Sequence, residues 1–208
     1  MVVYFIADTH FGHENIIRFS NRPFTNVEEM NRIMLQSWNA RVRSEDDVYI
    51  IGDFWFNGGQ GGKHYPDEAL RFVKQLKGQK HLVVGNHDKK ALSDPHFRAE
   101  FVEIADIIKI SHKGQRVILC HYPMLAWEGS RREAWHIHGH LHARRNEASD
   151  YLRTQERALN AAAEIVQYIP ATFDELARYN EIFKSQPNSA MLNEATMTED
   201  KGDEPCMQ

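Results

Sequence analysis

Short apolar runs in this chain repeatedly end in Asp, Asn or His. The fullest case is Leu82-Val83-Val84-Gly85-Asn86-His87-Asp88, where a buried-strand pattern stops at a glycine and three polar side chains follow. An Asn carbonyl is a hard oxygen ligand, a neighbouring His can move a proton, and an Asp can orient that His. The layout recurs. Asp8 and His10 close the run 2–7, Gly52-Asp53 follows 48–51, His121 follows 115–120, and Gly139-His140-Leu141-His142 follows 135–138. Each motif alone reads equally well as a turn, an N-cap or a packed core histidine. Together, at the carboxyl edge of one inferred sheet where open α/β sheets bind ligands, they point to a shared site.

The donor set suggests a chemistry. Asp8 and Asp53 offer carboxylates, Asn86 a neutral oxygen, and His10, His121, His140 and His142 nitrogens. A two-metal site needs such groups around ions about 3.5–4 Å apart, with one ligand shared. Nitrogen and oxygen donors without a thiolate suit Mn²⁺, Fe or Zn²⁺ better than Ca²⁺ or a structural zinc. Two divalent ions against two carboxylates leave about +2, attractive to a phosphate dianion. Metal-bound water of lowered pKa is then the nucleophile for in-line attack on phosphorus.

The elements that must position these groups follow from periodicity and punctuation. Strands are predicted at 2–7, 48–51, 80–84 and 135–138, and 107–111 with 115–120 flank Lys113-Gly114 as a hairpin. The apolar stretch 159–169 is expected to return to the sheet. Helices are predicted from the capping box Thr25-Asn26-Val27-Glu28, over 67–76 before Gly78, near 97–103, and from Thr172-Phe173-Asp174-Glu175 to Lys184. Residues 11–23 read as a loop and 143–156 as loop or helix. The glycine-rich 58–62 lacks the Gly-Lys-Ser/Thr of a phosphate loop and reads as flexible surface.

Composition narrows the class. The 208 residues suit one domain, 1–184, followed by an acidic tail, 185–208, expected to be disordered. The tail carries the whole net charge of −4, so the domain is near neutral and extended nucleic acid is a poor partner. No run of about 18 apolar residues exists for a membrane span, and the N-terminus lacks a signal-peptide pattern. Two cysteines, one apolar in context and one in the tail, fit a reducing cytoplasm.

In order along the chain, Asp8-x-His10, Gly52-Asp53, Gly85-Asn86-His87-Asp88, His121 and Gly139-His140-x-His142 resemble the five signatures of the calcineurin-like metallophosphoesterase superfamily. Asp8-Thr9-His10-Phe11-Gly12-His13, Asn21-Arg22-Pro23-Phe24 and Cys120-His121-Tyr122-Pro123-Met124 are similar to its small bacterial and phage branch. The resemblance replaces the open parallel sheet with an α/β fold of four layers, αββα, in which a β-sandwich of two mixed sheets is flanked by helices. It implies that Asp8, His10 and His142 hold one ion, that Asn86, His121 and His140 hold the other, and that Asp53 bridges both. It makes His87 the phosphate contact and leaving-group acid, oriented by Asp88 or a nearby acid, and the cofactor two divalent ions, Mn²⁺ before Fe, Zn²⁺ or Ni²⁺. His136 and His138 lie outside the pattern and read as structural. Asn160-Ala161-Ala162 stands where many relatives have Asn-Val-Gly.

Beyond the ligands, Arg18, Arg22, His13 and the loop Ser130-Arg131-Arg132 are candidates to grip a substrate phosphate, and Tyr122 or Trp127 to stack on a base or sugar. The expected reaction is hydrolysis of a small phosphoester, nucleotide-like in character. The alternatives are a phosphodiesterase or nuclease acting on cyclic nucleotides or nucleic-acid ends, and a non-catalytic scaffold of the same fold. The complete ligand set and His87 argue against the scaffold. Oligomeric state is open.

Overall fold

The computed structural model describes residues 1–56 and 65–186. The glycine-rich 58–62 and the tail beyond 186 lie outside the described residues. Three parallel strands, β1 (Val3–Ile6), β2 (Asp47–Ile51) and β3 (Gln79–Val83), form the centre of a five-stranded sheet. β4 (Glu103–Ala105) extends it in parallel, and the two-residue β9 (Ala171–Thr172) pairs antiparallel with β1. The second sheet runs β5 (Ile107–His112), β6 (Gln115–Cys120), β7 (Trp135–His138) and β8 (Ala158–Asn160) in spatial order. Its first pair is an antiparallel hairpin and its others are parallel, so both sheets are mixed.

Alternation along the strands builds the layers. Val117 and Leu119 of β6 join the main core between the sheets, whereas Ile118 faces outward into a smaller cluster with Trp127 and Leu152. Leu152 belongs to α5 (Glu147–Arg153), which covers that side. On the far side of the first sheet, α2 (Val27–Arg41) buries Met30, Met34 and Trp38, spaced on one helix face. α3 (Tyr65–Val73) adds Ala69 and Phe72 to the same core, and α6 (Phe173–Ser185) closes the fold beside β8, β9 and β1. Two mixed sheets between helices match the expected α/β sandwich.

Several local expectations are corrected. The loop 11–23 contains α1 (Glu14–Phe19), too short for a helical period to show. The first cap is shifted by one residue: Asn26 accepts from the Glu29 N–H, and Glu29 reaches back to Thr25. The helix near 97 is only α4 (Pro95–Arg98), because Glu103–Ala105 pair with β3 instead. The run 159–169 leaves the sheet after Asn160, and Gln167 and Tyr168 turn it with φ of 57° and 64°. Its apolar character reflects burial in a packed turn. The box at Thr172 and Glu175 forms as read, with both reciprocal bonds.

Candidate metal centre

Parallel strands deliver their carboxyl ends to one edge, and the motifs follow those ends. Asp8 and His10 come after β1, Asp53 after β2, Asn86 and His87 after β3, His121 after β6, and His140 and His142 after β7. The two sheets thus contribute to a single site. Asp8, His10 and His142 offer ligand atoms that all lie within 4.8 Å of one another, and so do Asp53, His121 and His140. Asn86 Oδ1 is 3.1 Å from His121 Nε2 in the second group. Asp53 Oδ2 stands between the groups, 3.5 Å from His10 Nε2 and 3.4 Å from His121 Nε2. All seven side chains read as ligands from the sequence converge here.

The backbone is strained to achieve this. Asp8, His10, Asp53, His140 and His142 take φ values of 52°, 48°, 54°, 69° and 51°. For a residue with a Cβ such a conformation costs about 1–2 kcal/mol, and it persists only where the surroundings enforce it. The motif glycines have a separate reason. A Cβ on Gly52 would overlap the His121 ring, on Gly85 the Asp53 carboxylate, and on Gly139 the Asp8 carboxylate. The ligands pass so close to these backbones that no side chain fits.

Neighbouring groups aim the ligands. His121 Nδ1 donates to the Ile51 carbonyl at 3.0 Å, which leaves Nε2 for the centre. Asp8 accepts from the His140 N–H, and Asp53 Oδ1 from the His87 N–H. Asn160 Nδ2 donates to the His142 carbonyl, and the Ala7 N–H to that of Ala161, so the departure at Asn160-Ala161-Ala162 packs fully. Burial pushes Asp8 up to about 6. Burial alone would lower His121, but its bond to Asp53 and the Asp8 charge raise it to about 9. Burial holds His10 well below the usual histidine range.

The donor set fits a divalent metal. His10 Nδ1 and Nε2 are both buried and have no hydrogen-bond partner among the described residues, which in a folded protein calls for an explanation. A cation among imidazole, carboxylate and amide donors supplies one.

The sequence profile of calcineurin-like phosphoesterases matches residues 1–169. The chain belongs to the calcineurin-like phosphoesterase family. An uncharacterised protein of Methanocaldococcus jannaschii, MJ1445, is 32% identical over 176 residues, covering 85% of this chain and 89% of its own length. The gene 66 protein of Mycobacterium phage L5 is 27% identical over 164 residues, covering 67% of this chain and 77% of that protein. Among solved structures, the protein of unknown function AQ665 from Aquifex aeolicus shares 32% identity with a TM-score of 0.63, covering 85% of this chain and 98% of its own.

In this member of the family the residues outside the ligand set divide. The half-buried His87 ring lies against His10 and Phe56, with centroids 5.3 and 4.8 Å apart. Burial lowers its pKa, with the Asp53 charge pulling upward. Asp88 does not orient it: its carboxylate accepts the N–H groups of Asp53, Phe54 and Gly85 and so ties two ligand loops together. His13 is buried beside His10 and packs on Phe56 at 4.0 Å. Arg22 is corrected as a substrate clamp, because its side chain is 0% exposed and turned behind the ligands. Ser130 and Arg131 are corrected as well. β6 and β7 are parallel, so the connection returns to the strand starts, and Gly129 lies against Arg116 at the opposite end of the sheet. Trp127 is buried and donates to the Ala134 carbonyl, whereas Tyr122 is half exposed with its ring edge-on to His140. His136 bonds the Ile118 carbonyl and the Met124 N–H, and His138 the Gly139 carbonyl, both structural as read.

Two contributors escaped the sequence reading. Glu164 contacts His142, and its signal was available as the only charged residue in the apolar stretch 159–169. Phe56 packs against His10, His13 and His87, and no spacing pointed to it.

Proposed function

We infer that this protein is a metal-dependent phosphoesterase that hydrolyses a small, nucleotide-like phosphoester at a dinuclear centre. The observation that carries the reading is Asp53 Oδ2, placed 3.5 Å from a histidine nitrogen of one ligand group and 3.4 Å from one of the other. Asp8, His10 and His142 would hold one ion, Asn86, His121 and His140 the second, and Asp53 both; mixed nitrogen and oxygen donors favour Mn²⁺, Fe or Zn²⁺. Bound there, divalent ions neutralise phosphoryl oxygens and supply a nucleophile at neutral pH.

The chain's own groups do the rest. The His87 N–H bond to Asp53 fixes the turn that presents the imidazole beside His10, in position to hold a proton for the leaving oxygen. An arriving phosphate brings negative charge that favours the protonated imidazole and offsets the lowering by burial. Phe56 packs on the His13 and His87 rings at 4.0 and 4.8 Å, while the half-exposed Tyr122 borders His140. Strained ligand loops support a site built around a bound ion, and the His87 imidazole beside it favours catalysis over a scaffold role.

Purified protein supplied with Mn²⁺ should hydrolyse p-nitrophenyl phosphate or its bis ester, and Asp53→Ala should remove the activity. The loss should exceed the roughly 100-fold typical of deleting a group that only supports a ligand. The ratio of the two rates separates monoester from diester preference. No turnover of either compound with Mn²⁺, Ni²⁺, Zn²⁺ or Fe²⁺ would contradict the reading.

A further inference from the structure

Behind His142 lies a closed network that ligand geometry alone does not require. His142 Nδ1 donates to the Glu164 carboxylate, 3.2 and 3.3 Å from its two oxygens, with Ser20 Oγ farther away at 3.5 Å. Glu164 Oε1 also accepts from Arg22, 2.9 Å from Nε and 2.8 Å from a terminal nitrogen. The other guanidinium donors go to the carbonyls of Asp8 at 2.7 Å and Thr9 at 2.8 Å, and to the Met30 sulfur at 3.4 Å. The Tyr168 ring covers the guanidinium, on the turn where Gln167 and Tyr168 are left-handed.

Such a pair is a poor stabilising device, because desolvating two ions cancels most of their attraction. Its side chains are 0% and 6% exposed. What it does is connect: one guanidinium joins the backbone of Asp8, whose φ is 52°, to the carboxylate that fixes His142. The second group is built differently, for His121 Nδ1 is fixed by the neutral Ile51 carbonyl. A carboxylate behind an imidazole makes its far nitrogen a better metal donor than a carbonyl does.

We propose that Glu164, oriented by Arg22, is a positioning residue that sets the tautomer of His142 and selectively supports metal binding by the Asp8, His10 and His142 group. The proposal rests on the metal-centre reading above. Its test is a calorimetric Mn²⁺ titration of full-length metal-free protein, wild type and Glu164→Gln. The metal-free proteins are also compared by melting temperature and by histidine ¹⁵N spectra. Glu164→Gln should weaken one of two Mn²⁺ equivalents by about 10–100-fold, leave the other unchanged, and lose the single Nδ1–H form of His142. Glu164→Asp keeps Arg22 paired, so it should fold even where the Gln variant does not, and should show the same selective loss at smaller size. Unchanged affinity for both equivalents, or an equal fall in both that tracks a lower melting temperature, would overturn the proposal. Wild-type protein that takes up no divalent ion would overturn the metal reading itself, a separate outcome.

Discussion

Toward the amino end of the first sheet, His81 Nε2 lies 2.8 Å from Asp47, Nδ1 lies 3.8 Å from Glu103, and the ring stacks on Tyr49 at 4.4 Å. At the carboxyl end, His10 has carboxylates near it too, yet among the described residues both of its nitrogens lack a hydrogen-bond partner, where His81 lacks one at Nδ1 alone. The contrast extends to the turns. Gly114, in the β5–β6 hairpin, has open space where a Cβ would stand, while Gly85 has the Asp53 carboxylate there. Histidines and acids occur at both ends, so residue type does not distinguish them. Ligands held in left-handed conformation, a histidine unpartnered at both ring nitrogens and glycines pressed against carboxylates do, and these are the marks of a site built around something bound.

Substitutions at the carboxyl end should have the larger effects. His87→Ala should lower kcat by about 10²–10⁴-fold, the range for a general acid, with metal content held near wild type. Metal analysis that found ions lost from this variant would make His87 a ligand. Gly85→Ala forces the Asp53 carboxylate aside and should cost about a hundredfold in activity, as a misplacement of roughly 1 Å does. Proton competition comes next. His121, raised to about 9, is protonated below that pH and must lose its proton to bind an ion. Mn²⁺ affinity should therefore rise about tenfold from about pH 7 to about pH 8. A pH-independent titration would contradict the assignment of His121. Gly114→Ala should be smallest, about 1 kcal/mol of stability from its φ of 79°, with activity and metal uptake unchanged.

The ligands were legible in the sequence because strand, glycine and polar group are adjacent in it, and a parallel sheet sends every such junction to one edge. His121 and Asp53 needed no knowledge of the fold to be suspected. Arg22 and Ser130 show the limit. Both are polar residues in loops, and only the tertiary path sends one behind the ligands and the other to the far end of the sheet. Likewise 159–169 looked like a strand because it is buried, and burial by a packed turn leaves the same composition as burial in a sheet. Glu164 was visible as a lone charge in that stretch, but its partners are 22 and 142 positions away, beyond any local pattern.

The two ligand groups meet at Asp53, and diffraction at the manganese edge from Mn²⁺-loaded crystals shows whether two ions share its carboxylate. Two anomalous peaks about 3.5–4 Å apart, both in contact with the Asp53 carboxylate, are predicted. A single peak, or two that do not both touch Asp53, would contradict that sharing.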